Sequence, residues 1–98
     1  MPRGATHPGK VLAEDLAALD MAAWELAEVL QMPPQHLLDI VAAKRPVDAD
    51  TALRLGHYFD TSPLFWLNLQ VLHDLRLARA AAGRQVERLP VLAVTDVR

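Results

Sequence analysis

Few side chains in this sequence of 98 residues could act as catalysts or metal ligands. It has no cysteine, and its only serine, Ser62, precedes a proline, a pairing typical of a helix start rather than of a nucleophile. The four glycines form no phosphate-binding loop. No two of the four histidines have the spacing that would let one helix face hold a metal ion; they are His7, His36, His57 and His73. We therefore predict that the protein is not an enzyme and has no metal site and no cofactor.

Charge is distributed unevenly along the chain. The net charge is −2, yet the stretch from Val11 to Ile40 holds six acidic residues and no lysine or arginine, so the remainder carries +4. Neighbouring acids such as Glu14 and Asp15 point in different directions on a helix, which favours solvated surface acids over an acid–base pair. A nucleic-acid-binding surface would have to use the basic clusters, which are Arg3, Lys10, Lys44, Arg45, Arg76, Arg79, Arg84 and Arg88. The last four of these are better explained as a solvated helix end whose charges complement the helix dipole.

Composition indicates one small folded domain. Apolar residues make up 52% of the chain and charged residues 22%, which excludes an intrinsically disordered protein. The apolar runs are too short to span a bilayer, and the first ten residues lack the apolar stretch of a secretory signal. We expect a cytoplasmic protein without a membrane partner.

Alanine and leucine dominate, glycine is scarce and turn signals recur at short intervals, so the sequence predicts an all-α fold of five short helices. The expected helices run from Pro8 to Leu19, from near Ala22 to Leu30, from Pro34 to Ala43, from a cap at Asp48 to Asp60, and from a cap at Ser62 to Gly83. Periodicity places an apolar stripe on each; the stripe residues are Val11, Leu12, Leu16, Leu19, Leu26, Ala27, Leu30, Leu37, Ile40, Val41, Ala52, Leu55, Phe59, Phe65, Trp66, Leu69, Leu72 and Arg76.

The end of the chain has a different pattern. Alternating apolar and polar residues between Val86 and Val97, around Pro90, allow a short strand or an extended tail. We therefore predict a helical domain over residues 1–83 and a C-terminal tail over 84–98.

The second and third predicted helices, joined by a tight turn, have the lengths of a helix-turn-helix, in which the second helix enters the DNA major groove. Short turns between helices are also common in generic helical bundles, so the pattern leaves both interpretations open. The outward or flanking positions of the third helix are Gln35, His36, Leu38, Asp39 and Ala42.

Particular motifs add to this pattern. They are His7-Pro8-Gly9, Leu26-Ala27 with Leu30, Pro33-Pro34, Ile40-Val41, Lys44-Arg45, the stretch from Ala49 to Leu55, and above all Thr61-Ser62-Pro63-Leu64-Phe65-Trp66-Leu67-Asn68-Leu69-Gln70 followed by Asp74-Leu75. Through these motifs, over roughly residues 7 to 79, the sequence resembles the HigA/VapI-type antitoxins of the XRE (lambda-repressor-like) helix-turn-helix family.

The resemblance implies a five-helix, homodimeric DNA-binding repressor that binds its own operator and neutralises a RelE-like, HigB-type toxin that cleaves messenger RNA. The residues that it assigns to DNA binding are Gln35, His36, Asp39, Lys44 and Arg45. The sequence departs from the family where DNA would be contacted. Ala22-Ala23 replaces a usual Ser-Gln pair, Gln35-His36 replaces Ser-Arg, and Ala42-Ala43 replaces Asn-Gly. These departures leave an alternative function, a protein-interaction module that keeps the fold but has lost DNA binding.

Toxins that cleave RNA are commonly basic, so the acidic helices offer a complementary docking surface. Trp24 lies outside the apolar stripe of its helix, where an exposed aromatic residue suggests a contact surface. The expected toxin-binding residues are Glu14, Asp15, Trp24, Glu25 and Glu28. A regulator that senses a small molecule is a third possibility, without any pocket signature in the sequence to support it.

Overall fold

Five α-helices form the part of the chain that this computed structural model describes, residues 6–93. In chain order they are α1 (Pro8–Leu19), α2 (Ala23–Leu30), α3 (Pro34–Val41), α4 (Ala49–Phe59) and α5 (Pro63–Glu87). The prediction of an all-α, five-helix fold is confirmed, and the first four helices lie within two residues of their expected bounds.

Local signals set most helix ends. Proline occupies the first turn of α1, α3 and α5, where its missing N–H costs no hydrogen bond. The carboxylate of Asp48 accepts a hydrogen bond from the Thr51 amide at 2.9 Å, and the Ser62 hydroxyl accepts one from the Leu64 amide at 3.1 Å. Both side chains therefore act as the predicted N-caps. Asp20 and Asp60 end α1 and α4 in the left-handed conformation.

One apolar core holds the helices together. Its largest member is Trp66, near the start of α5, which is almost fully buried and whose ring lies against the ring of Phe59 on α4. The buried hydrophobic residues are Leu12, Leu16, Leu26, Ala27, Leu30, Met32, Leu37, Ile40, Val47, Ala52, Leu55 and Trp66. Helix α3 packs against α1 and α2, and α5 packs against α1 and α4.

The fifth helix differs from its prediction in two ways. It continues past Gly83 to Glu87, because a glycine inside a helix costs only about 1 kcal/mol and its neighbours are good helix formers. Its buried face is formed by Trp66 and Gln70, whereas Phe65 and Leu72 are exposed. The expected inward positions of Phe65, Leu72 and Arg76 were therefore wrong, as was that of Leu19, which is 51% exposed at the end of α1.

The length of α5 explains the exposure of Arg76 and of most of the residues that follow it. Its 25 residues correspond to about 37 Å at 1.5 Å per residue. The described chain measures 54 × 27 × 27 Å, so the second half of α5 extends beyond the other helices and buries little of its surface.

Of the two forms that the sequence allows for the C-terminal tail, a short strand or an extended segment, the strand is absent from the described residues. Val86 and Glu87 belong to α5, and residues 90–93 have no regular secondary structure. The rest of that alternating segment, residues 94–97, lies outside the described part of the chain. Within residues 6–93, no helix combines the length and apolar character needed to span a lipid bilayer.

Candidate nucleic-acid interface

A tight turn connects α2 to α3. Gln31 ends α2 in the left-handed conformation, with φ of 58°, and the amide of buried Met32 donates to the carbonyl of Ala27 at 2.9 Å. Pro33 and Pro34 then start α3. At the other end of α2, the carboxylate of Glu25 accepts a hydrogen bond from the Ala22 amide at 2.8 Å. These contacts give the helix pair two defined ends and one short connection, as a helix-turn-helix requires.

Helix α3 presents its predicted polar face to solvent. Leu37 and Ile40 are fully buried beneath it, while Gln35 and Leu38 are exposed. The Gln35 amide nitrogen donates to the carboxylate of Asp39, one helical turn later, at 2.8 Å. One amide hydrogen and the amide oxygen of Gln35 remain available, which is the pair of groups that recognises an adenine edge.

His36 is only half exposed and is turned towards the next helix. Its Nε2 lies 3.4 Å from the hydroxyl of Thr51, which is buried in the first turn of α4. The hydrogen bond that the Thr51 amide donates to the Asp48 carboxylate holds the pKa of Asp48 below its usual value, and the charge of His36 adds a smaller effect in the same direction. The structure therefore links His36 to the start of α4, a contact that sequence reasoning missed.

Two exposed basic residues follow α3. Ala43 adopts the left-handed conformation, with φ of 62°, and the Lys44 amide then donates to the carbonyl of Asp39 at 2.8 Å. This geometry turns the chain sharply, and both Lys44 and Arg45 are exposed beside the end of α3. We call residues Ala43 to Val47 the basic turn.

The basic turn is fixed from the inside by α5. The Val47 amide donates to the side-chain oxygen of Gln70 at 2.8 Å, and the Gln70 amide nitrogen donates to Asp74 at 2.9 Å. Gln70 is buried, and these two bonds satisfy its amide. Its signal in the sequence was its position four residues after Trp66, on the same face of α5.

A second support comes from the start of α1. His7 is 8% exposed, and its Nδ1 accepts a hydrogen bond from the Gly9 amide at 2.8 Å. Gly9 packs so closely on the end of α3 that a Cβ atom there would overlap the carbonyl oxygen of Ile40. Burial and the nearby His73 lower the pKa of His7, against the smaller opposing effects of Asp74 and a hydrogen bond with the Arg45 backbone.

Arg54 joins α4 to the end of α2. Its guanidinium donates to the Leu30 carbonyl at 2.8 Å and pairs with Asp50 at 2.9 Å. The Leu30 carbonyl has no partner inside its own helix, so the arginine satisfies a free acceptor at the negative end of the dipole. The sequence identifies Arg54 only as part of a motif, because its partner Leu30 is 24 residues away.

The expected toxin-binding residues lie on two helices. Glu14 is exposed on α1, whereas Asp15 is half-buried. Burial, together with the charge of the neighbouring Glu14, raises the pKa of Asp15. Trp24 is 53% exposed on α2, and Glu28 is exposed one turn further on. Glu25 caps its own helix. The structure thus places Trp24 and Glu28 on one surface of α2, whereas Glu14 and Asp15 belong to α1, which packs against α3 and α5.

Other chemistry has little support in the described region. Among residues 6–93, no three histidine, aspartate or glutamate side chains are grouped in a way that could hold a metal ion.

A short helix pair with an exposed polar second helix and a basic turn after it defines a helix-turn-helix DNA-binding fold. No model of a known protein family matches the sequence. Individual relatives do. The virulence-associated protein I of Dichelobacter nodosus is 41% identical over 95 residues, which span 96% of this chain and 86% of the relative.

Two solved structures extend this comparison. An addiction module antidote protein of the HigA family from Coxiella burnetii is 42% identical, with a TM-score of 0.86 over 89% of this chain and 96% of its own. The Pseudomonas aeruginosa antitoxin HigA, solved with the higBA promoter, is 40% identical, with a TM-score of 0.86 over 92% of this chain and 99% of its own. The chain belongs to the HigA-type antitoxins of the XRE helix-turn-helix family, which are regulators and not enzymes, as predicted.

Proposed function

We propose that this protein is the antitoxin of a type II toxin–antitoxin system, which represses its own operon by binding operator DNA and neutralises a RelE-like toxin that cleaves messenger RNA. The observation that carries the DNA-binding half is the exposed face of α3 followed by the fixed, exposed pair Lys44 and Arg45. The structure of the P. aeruginosa antitoxin HigA with the higBA promoter also supports the DNA-binding half of the proposal.

In the proposed complex, α3 lies in the major groove. Gln35 pairs with an adenine edge while Asp39 holds its amide in place, and Leu38 contacts a thymine methyl group. Lys44 and Arg45 neutralise phosphates beside the groove, and these contacts provide most of the sequence-independent affinity. His36, held against Thr51, takes a supporting position and can donate to a phosphate when its ring is protonated.

Operator recognition of this kind requires two copies of the chain. Helix-turn-helix dimers place their two recognition helices about 34 Å apart, one turn of the duplex. The second half of α5 carries exposed apolar residues, among them Leu75, Leu77 and Val86, and it extends beyond the rest of the protomer. We propose this surface as the one that joins the two protomers, since apolar area of this kind is normally covered by a partner.

For the toxin, the acidic surfaces of α1 and α2 are the proposed contact. A basic partner is attracted by Glu14 and Glu28, and the exposed indole of Trp24 supplies an aromatic anchor. Because Glu25 holds the start of α2 through the Ala22 amide, we assign it a structural part in this surface.

The DNA-binding half is tested by titrating the purified protein with a duplex from its own promoter and with a scrambled duplex of the same composition. At moderate salt we expect the promoter duplex to bind at least about 10³-fold more tightly than the scrambled one. Equal affinities would favour the alternative function, an interaction module that keeps the fold without DNA binding. The alanines at the positions where the family usually has polar residues or glycine, Ala22, Ala23, Ala42 and Ala43, are the observation behind that alternative.

The antitoxin half is tested by co-expression with the gene immediately upstream. We expect that gene to encode a basic protein of about one hundred residues that inhibits growth alone, and that is bound and neutralised by this chain. The variants Trp24→Ala and Glu28→Lys should weaken this binding, and Glu87→Lys, at the far end of α5, is the matched charge control. An upstream product that is neither toxic nor bound would refute the antitoxin half and leave operator binding unaffected.

A further inference from the structure

An open groove of about 420 Å³ separates α1 from the junction of α4 and α5, and we call it the α1 groove. Its first wall is one side of α1, formed by Val11, Asp15, Ala18 and Leu19. Leu19 is 51% exposed on this side. The volume lies in the range of pockets that hold small ligands, about 300–1,000 Å³, so a large side chain of a partner would fit.

Aromatic rings form the opposite wall of the groove. The rings of Phe59, at the end of α4, and Trp66, near the start of α5, have centroids 5.8 Å apart. Phe65 meets Trp66 edge-on, with a centroid distance of 5.1 Å. Trp66 is buried in the core, whereas Phe65 is 44% exposed at the groove. An exposed aromatic ring beside other apolar side chains is typical of a surface that a partner covers.

Asp15 places a negative charge in this apolar setting. Among the described residues that line the groove, it is the only ionisable one. Within residues 6–93, its carboxylate makes no hydrogen bond and no ion pair. Burial and, to a smaller extent, the charge of Glu14 raise the pKa of Asp15, so at pH values above its folded and unfolded pKa the ionised carboxylate lowers the stability of the fold. A positive group beside it would relieve both effects.

The chemistry of the groove fits an arginine side chain best. A guanidinium pairs with a carboxylate through two parallel hydrogen bonds, stacks on aromatic rings, and is more weakly hydrated than the ammonium of lysine. Asp15 offers the carboxylate, and Phe59 and Phe65 offer the rings. A neutral or acidic group in the groove would leave the charge of Asp15 uncompensated.

The position of the groove separates it from the surfaces that an operator complex would use. Its described lining residues belong to α1, α4, the turn after α4 and the start of α5, and none belongs to α2, α3 or the basic turn. None belongs to the second half of α5, the proposed contact between protomers. Since this chain itself carries a net charge of −2, a basic partner matches the groove better than a second copy does.

We propose that the α1 groove receives an arginine side chain of the toxin, which pairs with Asp15 while the apolar residues beside it lie on Leu19 and Phe65. This inference rests on the proposed antitoxin function and deepens it, because it names the groove and the kind of side chain that enters it. It adds Leu19 and Phe65, whose sequence pattern suggested core positions, to the toxin-binding surface. Toxin and operator can then occupy the protein at the same time.

The first measurement needs no toxin. N-phenylguanidine, a cation at neutral pH, and phenylurea, its neutral analogue of similar shape, are titrated into the protein and followed by the amide NMR shifts of Asp15, Leu19 and Phe65. We expect the cation to bind about three- to tenfold more tightly, and the two affinities to become equal in Asp15→Asn. Asp20→Asn is the matched charge control, because asparagine tolerates the left-handed conformation of Asp20. It should keep the wild-type ratio.

The second measurement uses the purified product of the gene immediately upstream. Asp15→Asn and Phe65→Ala should each weaken its binding by at least about tenfold. The controls are Asp20→Asn and Leu64→Ala, an exposed leucine beside Phe65 that does not line the groove. They should change the affinity by less than about threefold. Operator affinity should be unchanged in every variant, because no described lining residue belongs to the DNA interface.

Urea unfolding distinguishes lost binding from lost folding. Asp15→Asn should be at least as stable as the wild-type protein, because it removes an unpaired, half-buried charge. Phe65→Ala loses its contact with the ring of Trp66 and can be less stable. Leu19→Ala then tests the same apolar contact from the α1 wall, where the side chain lies at an exposed helix end.

Three results would overturn the proposal. Wild-type affinity for the upstream product in both Asp15→Asn and Phe65→Ala would show that the toxin binds elsewhere. A shift from dimer to monomer in Phe65→Ala, measured by sedimentation at constant concentration, would show that a second copy covers the groove. Equal affinities of the wild-type protein for phenylguanidine and phenylurea would exclude a cation site.

Failure of the proposed function gives a different result. If the upstream product does not bind the wild-type protein while the preference for phenylguanidine still depends on Asp15, the antitoxin function fails together with the identity of the occupant. The arginine-binding groove then stands.

Discussion

Gln70, on the long fifth helix, holds Val47 in place by accepting its backbone amide hydrogen at 2.8 Å. This bond ties the inside of the basic turn to the core, only two residues from Arg45. It is the structural reason that a turn of exposed, charged residues can have one conformation. A buried amide that loses its acceptor costs its full desolvation energy, so this contact makes a sharp prediction.

Replacing Gln70 by methionine, which has a similar volume, should leave the Val47 amide without a partner. We expect the free energy of unfolding to fall by about 1–3 kcal/mol in urea titrations followed by circular dichroism. The control is Gln85→Met, an exposed glutamine on the same helix, which should change stability by less than about 0.5 kcal/mol. Equal stability of the two variants would show that the Gln70 contact contributes nothing.

A substitution at Ala43 is expected to raise the free energy of unfolding rather than lower it. Its φ of 62° lies in the left-handed region, which costs an L-residue with a Cβ about 1–2 kcal/mol and which glycine adopts without strain. We therefore expect Ala43→Gly to raise the free energy of unfolding by about 1 kcal/mol. The adjacent Ala42, with φ of −81°, is the matched control, because glycine there relieves no strain and only adds freedom to the unfolded chain. A destabilised Ala43→Gly variant would contradict this backbone geometry.

Gln35 is predicted to carry base discrimination rather than general affinity. In Gln35→Ala, the preference for the matching adenine should drop by about 1–3 kcal/mol, while binding to scrambled DNA stays the same. Competition assays with operators changed at single base pairs measure this directly. Asp39→Asn should give a smaller loss, because Asp39 only holds the Gln35 amide in place. If Gln35→Ala weakened binding to every sequence equally, the residue would be a backbone contact.

Much of this architecture could be predicted from the sequence. Local signals such as Pro8, Asp48 and Ser62 act within one helical turn, so the starts of the helices were predicted closely. The end of α5 was not, because Gly83 is a weak stop signal and nothing nearby in sequence indicates where a helix leaves the body of the protein.

In the candidate site, too, some features could be predicted from local sequence signals and others could not. Helical periodicity predicted the exposure of Gln35 and Leu38, since it depends only on the direction of successive side chains. The contact of Gln70 with the Val47 amide joins residues 23 positions apart in the chain, and no local pattern encodes it. His36 illustrates the consequence: its outward position was expected, and only the folded structure reveals its contact with Thr51 on α4.

The central claim is that Lys44 and Arg45 bring the exposed face of α3 onto operator DNA, and the salt dependence of binding tests it most directly. Each neutralised phosphate changes the slope of log K against log salt concentration by about 0.9. Loss of both side chains in both protomers of a dimer should therefore reduce the slope by about 3 to 4. The control is Arg76→Ala with Arg79→Ala, two exposed arginines on α5. A slope that falls in the Lys44→Ala, Arg45→Ala protein and is unchanged in the control is the predicted result; an unchanged slope in the former, or an equal fall in the latter, would contradict the account.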